Sequence, residues 1–177
     1  VTLWCAGHDG PDLRQNLLDG FAVPREGAHI LLFHGSDLTC VPPGKPAHCG
    51  FRPEDVDRTG AAFALLGHYH KASRVRLDGA RLSLRFAYPG SPEALDFSEE
   101  GEHFVLRLDV SENGVRSELL PFGEVRYATQ RLDVTAATTS DDLRAGVSAL
   151  GDRATIVRVI LDGQLQPDVD LDVRGAQ

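Results

Sequence analysis

The sequence has no methionine, one tryptophan and only three cysteines in 177 residues. Each scarcity excludes something. Cys5, Cys40 and Cys49 are odd in number and unpatterned, which argues against the disulfide framework that staples small secreted domains. Cys40, His48 and Cys49 lie near one another in sequence, but a closed zinc site needs four ligands, so they read as loop residues. No apolar run approaches the roughly 20 residues of a membrane helix. Val1 to Ala6 is too short for a secretion signal and lacks its basic start. A cytoplasmic domain with no membrane partner is the expectation. A net charge of −8 excludes a surface that is basic all round, though it leaves room for a local basic face. With no methionine there is no visible initiator, and the chain reads as a segment of a longer protein.

What is present is ordinary globular material, 42% hydrophobic and 25% charged. That is enough to bury a core of one domain or one and a half. The chain is organised around Phe63-Ala64-Leu65-Leu66-Gly67-His68-Tyr69-His70-Lys71. A short apolar run ending at glycine reads as a buried strand. The His-x-His pair after it shares one face of an extended chain. On its own the pair suits a surface turn equally well. Ile30-Leu31-Leu32-Phe33-His34-Gly35 is a second apolar run ending in histidine and glycine. Parallel strands of a covered sheet are nearly continuous in hydrophobicity, and such sheets carry their sites at the carboxyl ends. Two neighbouring strands of this kind gather His34, His68 and His70 at one edge, and three convergent imidazoles point to a metal site.

These blocks, with Tyr88-Pro89-Gly90-Ser91-Pro92 and Phe97-Ser98-Glu99-Glu100-Gly101-Glu102 following in order, resemble the second half of a calcineurin-like metallophosphoesterase. Within that superfamily the chain is similar to the SbcD-type exonucleases of DNA double-strand-break repair, most strongly from about His29 to Val110. The resemblance implies an α/β fold, a calcineurin-like phosphoesterase sandwich missing its N-terminal half and followed by a small α/β capping domain. It implies that His34, His68 and His70 are metal ligands, and that Gly67, Tyr69, Gly90 and Ser91 edge the site. It further implies two Mn2+ ions, DNA as substrate and an SbcC-type ATPase subunit as partner. A homodimer is compatible with it. The family's Asp-x-His, Gly-Asp-x-x-Asp and Gly-Asn-His-Asp/Glu motifs are absent before His34. Gly7-His8-Asp9 lacks the asparagine and reads as a turn. The expectation is therefore half an active site, with the catalytic group and the upstream half of the nuclease domain before Val1.

The chemistry explains why the missing half matters. Two metal ions about 3.5–4 Å apart polarise a phosphodiester and generate a hydroxide nucleophile. A mixed imidazole and carboxylate set suits manganese. Neutral imidazoles alone cannot offset the charge of two dications. Asp37, three residues after His34, reads as a turn residue rather than a replacement ligand.

Arg74–Leu77 and Arg81–Phe86 alternate strictly around Asp78-Gly79, a strong hairpin signal. Arg74, Arg76, Arg81 and Arg85 share one face, with Lys71 just upstream. An antiparallel sheet often turns such a face to solvent. Beside the histidines, and with the nuclease resemblance, the row reads as a phosphate or DNA contact.

Elsewhere the pattern predicts a strand at Val1–Trp4, a helix at Pro11–Leu18 from the Leu13/Leu17 spacing, and a long loop from Ser36 to Phe51. It predicts a helix at Arg52–Arg58 with proline in its first turn, and a hairpin over Phe104–Leu120 turning at Asn113-Gly114. A boundary is placed so that residues 1–121 belong to the nuclease domain and 122–177 to the cap. In the latter a strand (Val125–Val134), a capped helix (Thr138–Leu150) and a strand (Thr155–Leu161) follow one another. The function expected of the whole protein is metal-dependent DNA phosphodiester hydrolysis, this segment alone being inactive. The alternatives are another calcineurin-like phosphoesterase acting on a small phosphodiester or phosphoprotein, and a non-catalytic binding or oligomerisation fragment.

Overall fold

The computed structural model describes residues 1–7, 10, 13–72 and 85–169. The chain forms two compact units, Val1–Pro92 with His103–Phe122, and Glu93–Glu102 with Gly123–Gln177. No helix among the described residues is long and apolar enough to cross a membrane.

In the first unit four strands lie side by side in chain order: β1 (Thr2–Ala6), β2 (His29–His34), β3 (Phe63–Gly67) and β4 (Phe86–Ala87). All three pairings are parallel. One helix, α1 (Pro53–Thr59), stands between β2 and β3 in sequence. Pro53 opens it, the Asp55 carboxylate accepts the Arg52 N–H at 2.8 Å, and Gly60 ends it in the left-handed conformation, φ 77°.

The expected α/β phosphoesterase sandwich is not what the chain forms. Strands make up 35% of the described residues and helices only 10%, and the parallel strands stack as successive coils in the manner of a β-solenoid. The physical reason lies in the connections. Helical layers arise when the crossovers between parallel strands are helical. The crossover from β1 to β2 contains no helix among the described residues. Of the helix expected at Pro11–Leu18, Pro11 and Asp12 lie outside the described residues, and residues 13–18 form none; turns run over Leu17–Gly20, where the Asn16 Oδ1 accepts the Leu18 N–H at 2.9 Å. The same amide donates to Asp55 Oδ2 at 2.9 Å. A side chain that bonds its local backbone competes with the helical ladder, and here it wins.

The apolar runs fill the core for the reason the pattern suggests. Leu31, Phe33, Ala64, Leu66 and Phe86 turn to one face of the sheet and meet Phe51, Val56 and Tyr88. Ile30, Phe63 and Ala87 pack with Leu106, Leu108, Val110 and Val115. The last four belong to an antiparallel hairpin, β5 (His103–Ser111) and β6 (Gly114–Phe122), in which Ser111 pairs with Gly114. The turn thus falls on Glu112-Asn113, one residue earlier than the sequence signal.

In the second unit β7 (Arg126–Asp133) and β8 (Thr155–Asp162) pair in parallel, with α2 (Ser140–Ser148) between them in sequence. Thr139 caps α2, accepting the Asp142 N–H, while the Asp142 carboxylate accepts the Thr139 N–H at 2.9 Å. Aspartate thus closes the capping box, although glutamate is the commoner choice.

Candidate functional site

The site is set by strand register. In the β2–β3 ladder Phe33 lies opposite Leu66 and His34 opposite Gly67, so His34 ends one strand and His68 follows the end of its neighbour. The Gly35 N–H donates to the Gly67 carbonyl at 3.2 Å and carries the pairing one step further. Glycine at 67 has a packing reason: a Cβ there would stand 3.1 Å from His34 Nδ1. With no side chain in the way, the His34 ring lies over the partner strand. His34 Nε2 comes within 3.1 Å of His68 Nδ1, with the rings 5.0 Å apart at 76°. One nitrogen carries the shared proton and donates it to the other. His68 holds φ at 127°, a conformation that L side chains rarely adopt and that concentrates at functional sites.

A third imidazole arrives from the long loop after β2. His48 packs on His68 with ring centroids 5.5 Å apart. Its backbone is fixed by a reciprocal pair with Ser36: the His48 N–H donates to Ser36 Oγ at 3.0 Å, and the Ser36 N–H donates to the His48 carbonyl at 2.8 Å. From the sequence, His48 reads as a loop residue, set aside with Cys40 and Cys49 for want of a fourth zinc ligand, and its place beside His68 was not foreseen. The signal that could have found it was the length of the loop, since nothing in its periodicity marks His48.

Two tyrosines brace the loop. The Tyr88 hydroxyl donates to the Gly35 carbonyl at 2.7 Å and accepts the Asp37 N–H at 3.1 Å. Tyr69 packs between His68 and Tyr88, at 4.9 and 4.7 Å. Burial pushes both phenols above their ordinary pKa, so both stay protonated near neutral pH.

Gly90 and Ser91 hold the segment after His68. Gly90 sits at φ 82°, and a Cβ there would come 2.7 Å from both the His70 carbonyl oxygen and the Ala72 nitrogen. Only glycine allows that approach. The Ser91 N–H donates to the His70 carbonyl at 2.8 Å, and His103 Nδ1 lies 2.8 Å from the Ser91 carbonyl.

Of the residues singled out from sequence, the structure thus brings His34 and His68 together with Gly67 beside them, and sets Gly90 and Ser91 against the His70 backbone. The side chains of His70 and Lys71 are exposed. Arg74, Arg76 and Arg81, and most of the hairpin that carries them, lie outside the described residues. Arg85 is exposed and pairs with Asp57 of α1 at 3.6 Å, so one arginine of the row already faces a carboxylate.

The two-ion set that the resemblance implies does not fit the described residues by themselves. Among them no group of three or more His, Cys, Asp or Glu side chains is arranged to hold a metal ion. Asp37 is committed to a turn, its Oδ1 accepting the Thr39 N–H at 2.9 Å and hydroxyl at 2.7 Å. Cys49 is fully buried and its thiol is pushed up by that burial, away from the thiolate a metal needs. The chain matches no protein-family model and no curated protein.

Proposed function

We propose that this chain contributes the imidazole part of a metal-dependent DNA phosphodiesterase site of the SbcD exonuclease type. The observation that carries the reading is the 3.1 Å approach of His34 Nε2 to His68 Nδ1 at the carboxyl ends of adjacent parallel strands. That is where covered parallel sheets place their ligands. The Gly90-Ser91 brace on His70 supports it, because it ties the second motif of the resemblance to the first. His34, His68 and His70 would supply neutral nitrogens. The carboxylates that two Mn2+ ions require come, on this reading, from outside the described residues. Lys71 and the arginine row would track DNA phosphates, with an SbcC-type ATPase as the companion subunit. The Arg85–Asp57 pair favours a second reading, in which a small phosphodiester replaces DNA and needs fewer cations.

The test is Mn2+-dependent cleavage of a short DNA duplex and of a small chromogenic phosphodiester by the protein as its gene encodes it. His34→Ala and His68→Ala should abolish cleavage while leaving the thermal melt near wild type. Full cleavage by either variant would refute the assignment. Cleavage of the small ester alone would move it to the second reading.

A further inference from the structure

His29 is a buried titratable side chain that the hydrolysis reading does not use. We propose that it is a proton-sensitive latch for the edge strand β1: the neutral ring holds the Trp4 indole to the sheet, and a second proton on the ring releases it. The inference stands apart from hydrolysis, since it involves neither His34 nor His68.

Three observations carry it. First, each ring nitrogen meets a partner that can play only one part. The Trp4 indole N–H, which can only donate, reaches His29 Nδ1 at 3.1 Å. The Glu26 carbonyl, which can only accept, lies 2.8 Å from His29 Nε2. The ring in this arrangement is therefore neutral, with its proton on Nε2. A proton added at Nδ1 would set two N–H donors against each other and take the indole's acceptor away. Second, what faces His29 offers the cation no replacement. β1 brings Thr2 and Trp4, the loop before β2 brings Gly27 and the Glu26 carbonyl, and Ala62 donates its N–H to the His29 carbonyl at 2.8 Å. The charged side chains of that loop, Arg25 and Glu26, are exposed. Third, β1 is the edge of the four-stranded sheet, and four of its five residues are exposed. Trp4 is the half-buried one, packed edge-on against Phe21 with ring centroids 5.4 Å apart. With Leu17, Phe21 and Leu31 it lines an apolar cavity of about 90 Å³. Losing the indole bond thus loosens the strand and one wall of that cavity together.

The experiment follows the Trp4 indole N–H by 1H–15N NMR, together with the two ring nitrogens of His29, from about pH 8 to about pH 5, where histidine side chains change charge. The 177-residue chain has one tryptophan, so one indole resonance reports the latch. At the upper end Nδ1 should be bare and Nε2 protonated, and at the lower end both should carry protons. Protection of the indole N–H from solvent exchange, measured against a free indole at the same pH, should fall about tenfold or more through the same transition, as for one lost hydrogen bond. His29→Gln, which cannot titrate, should show no such step. If His29→Gln does not fold, the wild type decides alone, since ring and indole must change at one pH. A step that persists in the folded variant overturns the proposal. So does a wild-type ring that keeps a bare nitrogen down to the lower end, or indole protection that stays level while the ring gains its second proton.

Discussion

The β2–β3 and β7–β8 ladders are both parallel, yet they distribute polar groups in opposite ways. In β2–β3, Ile30, Leu31, Phe33, Phe63, Ala64 and Leu66 are buried, and polar side chains collect where the strands end, at His34 and His68. In β7–β8 polar groups run along the length. Arg131 pairs with Asp162 at 2.6 Å, and Arg158 reaches Thr129 Oγ1 at 2.8 Å and Glu100 at 3.3 Å while lying 4.6 Å over the Phe97 ring. Ile156 and Leu161 of the same ladder are exposed. A ladder buried over most of its length, with Leu32 its exposed exception, concentrates its chemistry at one edge. A ladder with open faces spends its polar groups on holding itself together.

The comparison breaks most sharply through the core. Phe51 is fully buried against Phe33 and Phe86, with ring centroids 5.3 and 5.5 Å away. Phe51→Ala should cost about 3–5 kcal/mol. Leu161→Ala, at a position 39% exposed, should stay within about 1 kcal/mol. Urea unfolding measures both, and similar losses at the two sites would erase the distinction. Next in size is Tyr88→Phe, which leaves the Gly35 carbonyl and Asp37 N–H without the phenol's hydrogen bonds. A buried group left unpaired costs about 1–3 kcal/mol. A variant as stable as the wild type would mean that the loop after His34 does not depend on that hydroxyl.

The smallest effect is expected in acid. Asp142 is held below its ordinary value of 3.8 by hydrogen bonds from the Thr138 backbone and hydroxyl, then from Thr139. Asp152 is held below the same value, first by the Thr155 hydroxyl. A depressed folded pKa gives stabilisation that is present above 3.8 and lost as pH falls through the lower folded value. Amide protection in α2 and β8 should therefore fall in that window before protection in β2 and β3 does. Equal losses in both ladders would contradict this ordering.

The sequence made the ends of the buried ladder legible because its signal is local. An apolar run followed by Gly or His-Gly already states which face is buried and where the strand stops. The α2 capping box and the β5–β6 hairpin were readable for the same reason, each resting on a few adjacent residues. The fold class was not. It turns on whether crossovers are helical, and a single Asn16 side chain redirected the segment that the Leu13/Leu17 spacing assigned to a helix. His48 was hidden because its place depends on Ser36, twelve residues away, folding the loop back on itself. The arginine row could be read only as a pattern, and Arg85 meets an acid on α1 that no local pattern announces.

Parallel register brings His34 Nε2 within 3.1 Å of His68 Nδ1, and the central proposal is that the two bind one metal ion. It is tested most directly by following the imidazole 15N resonances of the whole chain during Zn2+ titration. The account expects both nitrogens to move together and to saturate at one equivalent. Movement of one without the other, or of neither, would contradict it.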